Sequence, residues 1–276
     1  MKNKSWKHQK YIIHYYVAGN KDNPVLIFFH GFLGSGLDWE EVIDHFAKKY
    51  FCIAIDLPAH GKTSVKFSQA DYSMEAFSDV FCRFINDIGI SKPVLIGYSM
   101  GGRLILFLLV HYPKIWKAAV LESASPGLRT AKEREERRKK DAKIARKLET
   151  ETYDKFLTDW YRQPLFQSLK NNKKFPKLFL QRLENNPHLL AISLRMMGLG
   201  AQPSLWKAGQ RIDTPILLLT GEFDRKFRNI LSDTHAVYPR SELRIIEKAG
   251  HNAHFEQPLT YYKLVDQFLN KYGESS

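Results

Sequence analysis

The apolar run 93–96 ends on Gly97-Tyr98-Ser99-Met100-Gly101-Gly102 and passes directly into a helical pattern over 103–111. Strand, tight turn and helix in that order narrow the possible folds more than any other feature of the chain. A serine in so sharp a turn sits in strained backbone, and glycines must flank it because a Cβ there would collide with the neighbouring strand and helix. The turn pushes Ser99 out over the carboxyl edge of a sheet, at the first amides of a helix. A serine that merely caps a helix in a glycine-rich loop gives the same short pattern. The strand before it and the helix after it favour a catalytic serine.

The rest of the chain repeats this rhythm. Short apolar runs at 25–29, 51–56, 94–98, 118–122, 216–220 and 243–247 alternate with longer helical patterns, as in a parallel sheet with crossover helices. Helices are expected over 38–48, with Asp38 as N-cap, and over 74–88, preceded by Ser73. The expected class is α/β, a mostly parallel central sheet with helices on both faces. From 123 to 205 the strand-like runs stop and the pattern becomes long, charged and helical. That stretch reads as a helical cap inserted into a core formed by 1–122 and 206–276.

Charge follows the same division. The 276 residues carry a formal net charge of +13, and 123–205 holds 18 Lys and Arg against 9 Asp and Glu. An anionic partner is therefore to be sought beside the cap, although the commonest explanation of the dense basic run 134–147 is a solvated helix face. With 44% hydrophobic residues the chain is not disordered, and its length suffices to bury a core without disulfides or metal. Cys52 and Cys82 lie inside an apolar run and a helical pattern, as small buried hydrophobes do. The basic N-terminus leads only into the mixed run 11–16, without a signal-peptide core, and the longest wholly apolar run, 104–110, is far short of a membrane span. A cytoplasmic location without membrane insertion is expected.

A serine hydroxyl needs a base, and the base needs an orienting acid. Asp224 follows the run 216–220 and His251 follows 243–247, both at strand carboxyl ends, where α/β proteins place their sites. Glu222 and His254 are competitors on the same two loops. A third segment, Phe28-Phe29-His30-Gly31-Phe32-Leu33-Gly34, supplies a turn whose Phe32 amide, with that of Met100, would form an oxyanion hole. His30 is expected to brace this loop rather than to perform chemistry.

These segments, in this order, resemble the α/β-hydrolase superfamily across nearly the whole chain. Asp56-Leu-Pro-Ala-His-Gly-Lys-Thr resembles its D-x-x-G-x-G-x-S loop, departing at Ala59 and Thr63. A finer resemblance lies in the segments 122–141, 159–166, 181–186, 221–227 and 249–254, which are similar to those of the 2-succinyl-6-hydroxy-2,4-cyclohexadiene-1-carboxylate synthases (MenH), lyases of the menaquinone pathway. The resemblance implies elimination of pyruvate from a small-molecule tricarboxylate substrate, with Ser99, activated by His251 and Asp224, as base on a ring C–H. It implies substrate contacts from Arg103, one helical turn after Ser99, from Arg137 and Arg182 in the cap, and from Tyr98, Trp160, Lys226 and Phe227. Guanidinium groups suit carboxylates because they donate two parallel hydrogen bonds. Registration is open at Arg137, since Arg134, Arg138 and Lys139 lie within about a turn of it. No cofactor or metal is implied.

Two other readings stand beside this one. A carboxylesterase or thioesterase for a small anionic ester would use the same Ser-His-Asp machinery. A basic adaptor for nucleic acid or membrane would use 134–147, but lacks stacking aromatics or a recognisable module, so no nucleic-acid partner is expected.

Overall fold

The computed structural model describes residues 1–66 and 68–273. Its strands are β1 (Lys2–His8), β2 (Tyr11–Ala18), β3 (Val25–Phe29), β4 (Phe51–Ile55), β5 (Ser64–Val65), β6 (Val94–Tyr98), β7 (Ala118–Glu122), β8 (Ile216–Gly221) and β9 (Ser241–Ile246). They form one sheet in the order β1-β2-β4-β3-β6-β7-β8-β9, with β5 beside β2. From β4 to β9 the neighbours run parallel, whereas β1, β2 and β5 pair antiparallel.

Both faces of the parallel strands are covered, which is why they read as continuous apolar runs. Ile27 and Phe29 pack against one face with Phe77, Phe81 and Phe84 of α2 (Met74–Asp87) and Leu104, Ile105 and Leu108 of the buried helix that follows β6. Their neighbours Leu26 and Phe28 pack on the other face with Trp39, Val42, Ile43 and Phe46 and with Tyr261, Val265 and Phe268 near the C-terminus. Each of these buried phenylalanines contributes about 1.5–3 kcal/mol.

The remaining helices are α1 (Glu40–Phe46), before α2, and then α3 (Met100–His111), α4 (Ala131–Thr150), α5 (Tyr153–Tyr161), α6 (Gln167–Lys170), α7 (Phe175–Leu183), α8 (Pro187–Met197), α9 (Trp206–Gly209), α10 (Arg225–Val237), α11 (Ala253–Glu256) and α12 (Pro258–Tyr272). Between β7 and β8 the chain leaves the sheet, and α4 to α8 enclose an apolar cluster of their own, including Leu148, Phe156, Leu157, Tyr161, Leu178, Leu190 and Leu194. We call this layer the cap. Helix α4 opens on a capping box, Thr130 with Glu133, and buries only Asp141, Ala145 and Leu148 among its residues.

Two local expectations change, and the first two strands were not expected. Ser73 caps α2 as read, accepting from the Ala76 amide, but Asp38 is no N-cap: Ser35 opens a 3-10 turn, Gly36–Trp39, and frees the Asp38 carboxylate for a distant partner. Strands β1 and β2 had no expectation. Lysines and other polar side chains leave β1 largely exposed, so it shows no alternating apolar face and serves as a charged edge. Strand β9 begins at Ser241 and ends at Ile246, a slightly earlier span than 243–247.

Candidate active site

Ser99 stands between β6 and α3 at φ 49° and ψ −103°, a strained conformation for a residue with a Cβ. Its amide donates to Glu122 O at 2.8 Å and its carbonyl accepts from the Arg103 amide at 3.0 Å, so both sides of the turn are tied down. A Cβ at Gly101 would lie 2.3 Å from Phe29 O, and one at Gly97 would lie 2.7 Å from the Gly101 carbonyl carbon. Only glycine lets β3, β6 and α3 approach this closely.

Two loops from neighbouring strand ends complete the arrangement. His251 Nε2 lies 3.2 Å from Ser99 Oγ, and His251 Nδ1 lies 2.6 Å from Asp224 Oδ2. Asp224 accepts the Phe227 amide with its other oxygen at 3.1 Å, capping α10 as well as orienting the imidazole. With Nδ1–H directed at the carboxylate, the Nε2 lone pair faces the serine. His251 and Asp224 are each 4% exposed. Burial of the pair strengthens that orientation.

The competitors go elsewhere. Glu222 is exposed and accepts the Lys248 amide. His254 bonds through Nδ1 to Glu122 Oε2 at 2.7 Å and stacks on Trp39 at 4.2 Å, behind the site. His30 is fully buried, with Nδ1 2.7 Å from Gly31 O and Nε2 accepting the Leu57 amide at 3.0 Å. Both ring nitrogens are engaged in bracing, and burial lowers its pKa. The amides of Phe32 and Met100 have no acceptor among the described residues. They are the donors expected at an oxyanion hole.

Above Ser99 lies a cavity of about 210 Å³ between sheet edge and cap. Phe32, Tyr98, Ser99, Met100, Arg103, Arg137, Trp160, Arg182, Lys226, Phe227 and His251 all line it, and Asp224 stands behind His251. Of Arg134, Arg137, Arg138 and Lys139, Arg137 alone reaches the cavity wall. Arg134 turns to Leu128 O, while Arg138 and Lys139 turn to Glu135.

The cations of the wall are not equivalent. Arg182, 3% exposed, forms a forked pair with Asp38 at 2.6 and 2.7 Å and donates from Nε to Tyr161 Oη at 3.2 Å. Burial works against its charge, but Asp38 and Tyr161 outweigh that and hold its pKa above the ordinary value. Arg137 pairs through Nε with Asp141 at 2.7 Å. Arg103 meets only neutral acceptors, Gln202 Oε1 and Met197 O, both at 2.9 Å. Burial, and the neighbouring Arg137 charge, push Arg103 down to about 10, so it remains a cation at neutral pH. Lys226 has no carboxylate ion pair among the described residues, and its pKa is lowered by burial and by Arg137. Arg103 and Lys226 are thus the wall cations without a direct carboxylate partner among the described residues, although Asp141 and Asp224 lie near enough to favour their charged forms. Sequence reasoning missed the partners Asp38, Asp141 and Gln202. Only Asp141, four residues after Arg137 on one helix, carried a signal in its spacing.

The α/β-hydrolase-fold family model matches residues 24–258. A 2-succinyl-6-hydroxy-2,4-cyclohexadiene-1-carboxylate synthase of Escherichia coli O1:K1 is 34% identical over 91% of this chain and 96% of its own length. A Bacillus subtilis protein provisionally given the same name is 37% identical over 93% of this chain and 95% of its own. The solved structure of MenH from S. aureus superimposes with a TM-score of 0.87 at 32% identity, covering 94% of this chain and 98% of that one. The chain therefore belongs to the α/β-hydrolase superfamily and, within it, to the family of 2-succinyl-6-hydroxy-2,4-cyclohexadiene-1-carboxylate synthases, the MenH lyases of menaquinone biosynthesis.

Proposed function

We propose that this chain eliminates pyruvate from 2-succinyl-5-enolpyruvyl-6-hydroxy-3-cyclohexene-1-carboxylate to give 2-succinyl-6-hydroxy-2,4-cyclohexadiene-1-carboxylate. The observation that carries the reading is the hydrogen-bonded series Asp224, His251, Ser99, at 2.6 and 3.2 Å, under a cavity walled by three arginines and a lysine. The substrate is a tricarboxylate. Arg103 and Lys226 offer it cations that no protein carboxylate pairs directly, and Arg137 and Arg182 offer their remaining N–H donors. Tyr98, Trp160 and Phe227 supply the apolar wall for the ring.

Ser99 Oγ takes the proton from ring C2, next to the succinyl ketone, as His251 Nε2 accepts the serine's own proton and Asp224 stabilises the resulting imidazolium. The C2–H electron pair forms C2=C3, the C3=C4 pair moves to C4=C5, and the C5–O bond breaks. The departing enolate of pyruvate takes a proton, returned from His251 through Ser99, so no water is consumed and no redox change occurs. Charge gathering on the ketone oxygen meets the Phe32 and Met100 amides, worth several kcal/mol when preorganised. In this reading 123–205 is the substrate-holding cap, 1–122 with 206–276 is the catalytic core, and the enzyme works in the cytoplasm without cofactor or metal.

An esterase or thioesterase would use the same triad to attack a carbonyl. A thermophilic esterase from Thermogutta terrifontis superimposes with a TM-score of 0.85 at 21% identity, a likeness of fold alone. Coupling released pyruvate to a dehydrogenase separates the readings. We expect release well above the spontaneous rate and slow turnover of p-nitrophenyl and thioester substrates; brisk ester turnover without pyruvate would overturn the lyase reading.

A further inference from the structure

The loop that offers the Phe32 amide is held from both parts of the molecule. On the core side, Gly31 O accepts from His30 Nδ1 at 2.7 Å and from the Gly34 amide at 3.0 Å, which turns the Phe32 end of the same peptide the other way, toward the cavity. His60 Nε2 accepts the Leu33 amide at 3.3 Å. On the cap side, Asn185 Nδ2 donates to Leu33 O at 2.9 Å while Asn185 Oδ1 accepts the Gly61 amide at 3.0 Å. These two partners fix which way the side-chain amide faces. Asn185 follows α7 and is 7% exposed.

Leu33 is the unusual member of this loop. It stands at φ +69°, where a non-glycine residue persists only if its surroundings hold it. Its side chain is fully buried, not in the core but in the cap's apolar cluster with Leu190 and Leu194. The residue next to the Phe32 donor is therefore clamped to the cap twice, by its side chain and by its carbonyl.

We propose that Asn185 is a positioning residue for the oxyanion hole: through Leu33 O it makes the geometry of the Phe32 amide depend on the seated cap. The inference rests on the oxyanion-hole reading above and adds to it that the cap assembles the catalytic loop as well as binding carboxylates. A hole that acts on charge developing in the transition state changes kcat, whereas lost substrate contacts appear chiefly in KM. That split distinguishes Asn185 from the cationic residues of the cavity wall.

The test is steady-state pyruvate release by the full chain carrying Asn185→Asp or Asn185→Ala, with Ser99→Ala in parallel and with thermal melting and circular dichroism on each protein. Asn185→Asp keeps an acceptor for Gly61 but sets a carboxylate against Leu33 O, whereas Asn185→Ala removes both bonds without burying a charge, so the two changes fail in different ways. We expect kcat to fall about 10- to 100-fold for both, with KM within about threefold of the unaltered chain, native circular dichroism and, for Asn185→Ala, an unshifted pH profile of kcat. Normal kcat in either folded variant, or a rise in KM with kcat retained, would overturn the inference and leave Asn185 as ordinary cap packing. Full activity in Ser99→Ala would instead overturn the triad reading, so the two failures are separable.

Discussion

The carboxyl edge of the sheet and the cap meet at one cavity but are organised by different physics. At the edge, backbone geometry decides: Gly97 and Gly101 permit the elbow, and the ends of β6, β8 and β9 bring Ser99, Asp224 and His251 together over separations as long as 152 residues. In the cap, side-chain pairing decides, since Arg137 and Arg182 each owe their direction to a particular carboxylate. A sheet edge needs few residues to be specified because the sheet has already fixed its frame. A cap of packed helices has no such frame, and its polar contacts must supply one.

Removing an edge group should therefore cost the most. Ser99→Ala is expected to lower kcat for pyruvate release by at least about 10³-fold with little change in melting temperature, because the hydroxyl packs little and is the proposed base. Retention of more than a tenth of the activity would break the contrast at its strongest point.

Next in size is a cap partner that sequence reasoning assigned elsewhere. Asp38→Asn leaves the Arg182 guanidinium buried without its counter-charge, so a loss of about 3–5 kcal/mol of stability in urea unfolding is expected. A loss below about 1 kcal/mol would mean that Arg182 finds compensation from Tyr161 and solvent, and that the pair does not anchor the cap.

The wall cations should then rank by their existing partners. Arg103→Lys removes the forked donor from the one arginine of the wall paired only with neutral groups, and is expected to lower kcat/KM by about 1.5–3 kcal/mol, mostly through KM. Arg137→Lys should cost less, since Asp141 already occupies part of that guanidinium. Reversal of this order would show that Asp141 orients Arg137 for substrate more than it competes with substrate.

The gentlest probe is pH. Burial lowers His30 and lowers His60 to about 3, and each braces the oxyanion loop as a neutral ring. Below the unfolded value near 6.5 the unfolded chain binds protons that the folded chain refuses, so stability is full above that pH and falls as pH drops toward the folded values. His60 should contribute a slope approaching about 1.4 kcal/mol per pH unit in that window, and His30 adds in the same direction. Unfolding measured at pH 7 and pH 5 in the unaltered chain and in His60→Gln checks it. An equal slope in both would show that His60 is not the titrating group.

What could be read from the sequence follows the same division. The elbow was legible because a tight turn demands glycine, and the order Ser99, Asp224, His251 was legible because apolar runs announce strand ends. The cap announced only its helices and its charge. Asp38 lies 144 residues from Arg182, and Leu33 lies 152 residues from Asn185, distances at which no local pattern survives. Asp38 looked like a helix cap because its residue type suits that position, and the structure gives the position to Ser35. The edge strand β1 was invisible for a different reason: its side chains are polar, so burial left no alternation to detect.

The central claim is that Ser99 serves as a base and forms no bond to substrate. Intact-protein mass measurement on enzyme quenched during turnover of the enolpyruvyl substrate, with pyruvate quantified in the same samples, tests it most directly. The account predicts one pyruvate per substrate consumed and an unmodified protein mass at every time point; an acyl adduct on Ser99 that rises and decays with turnover would contradict it.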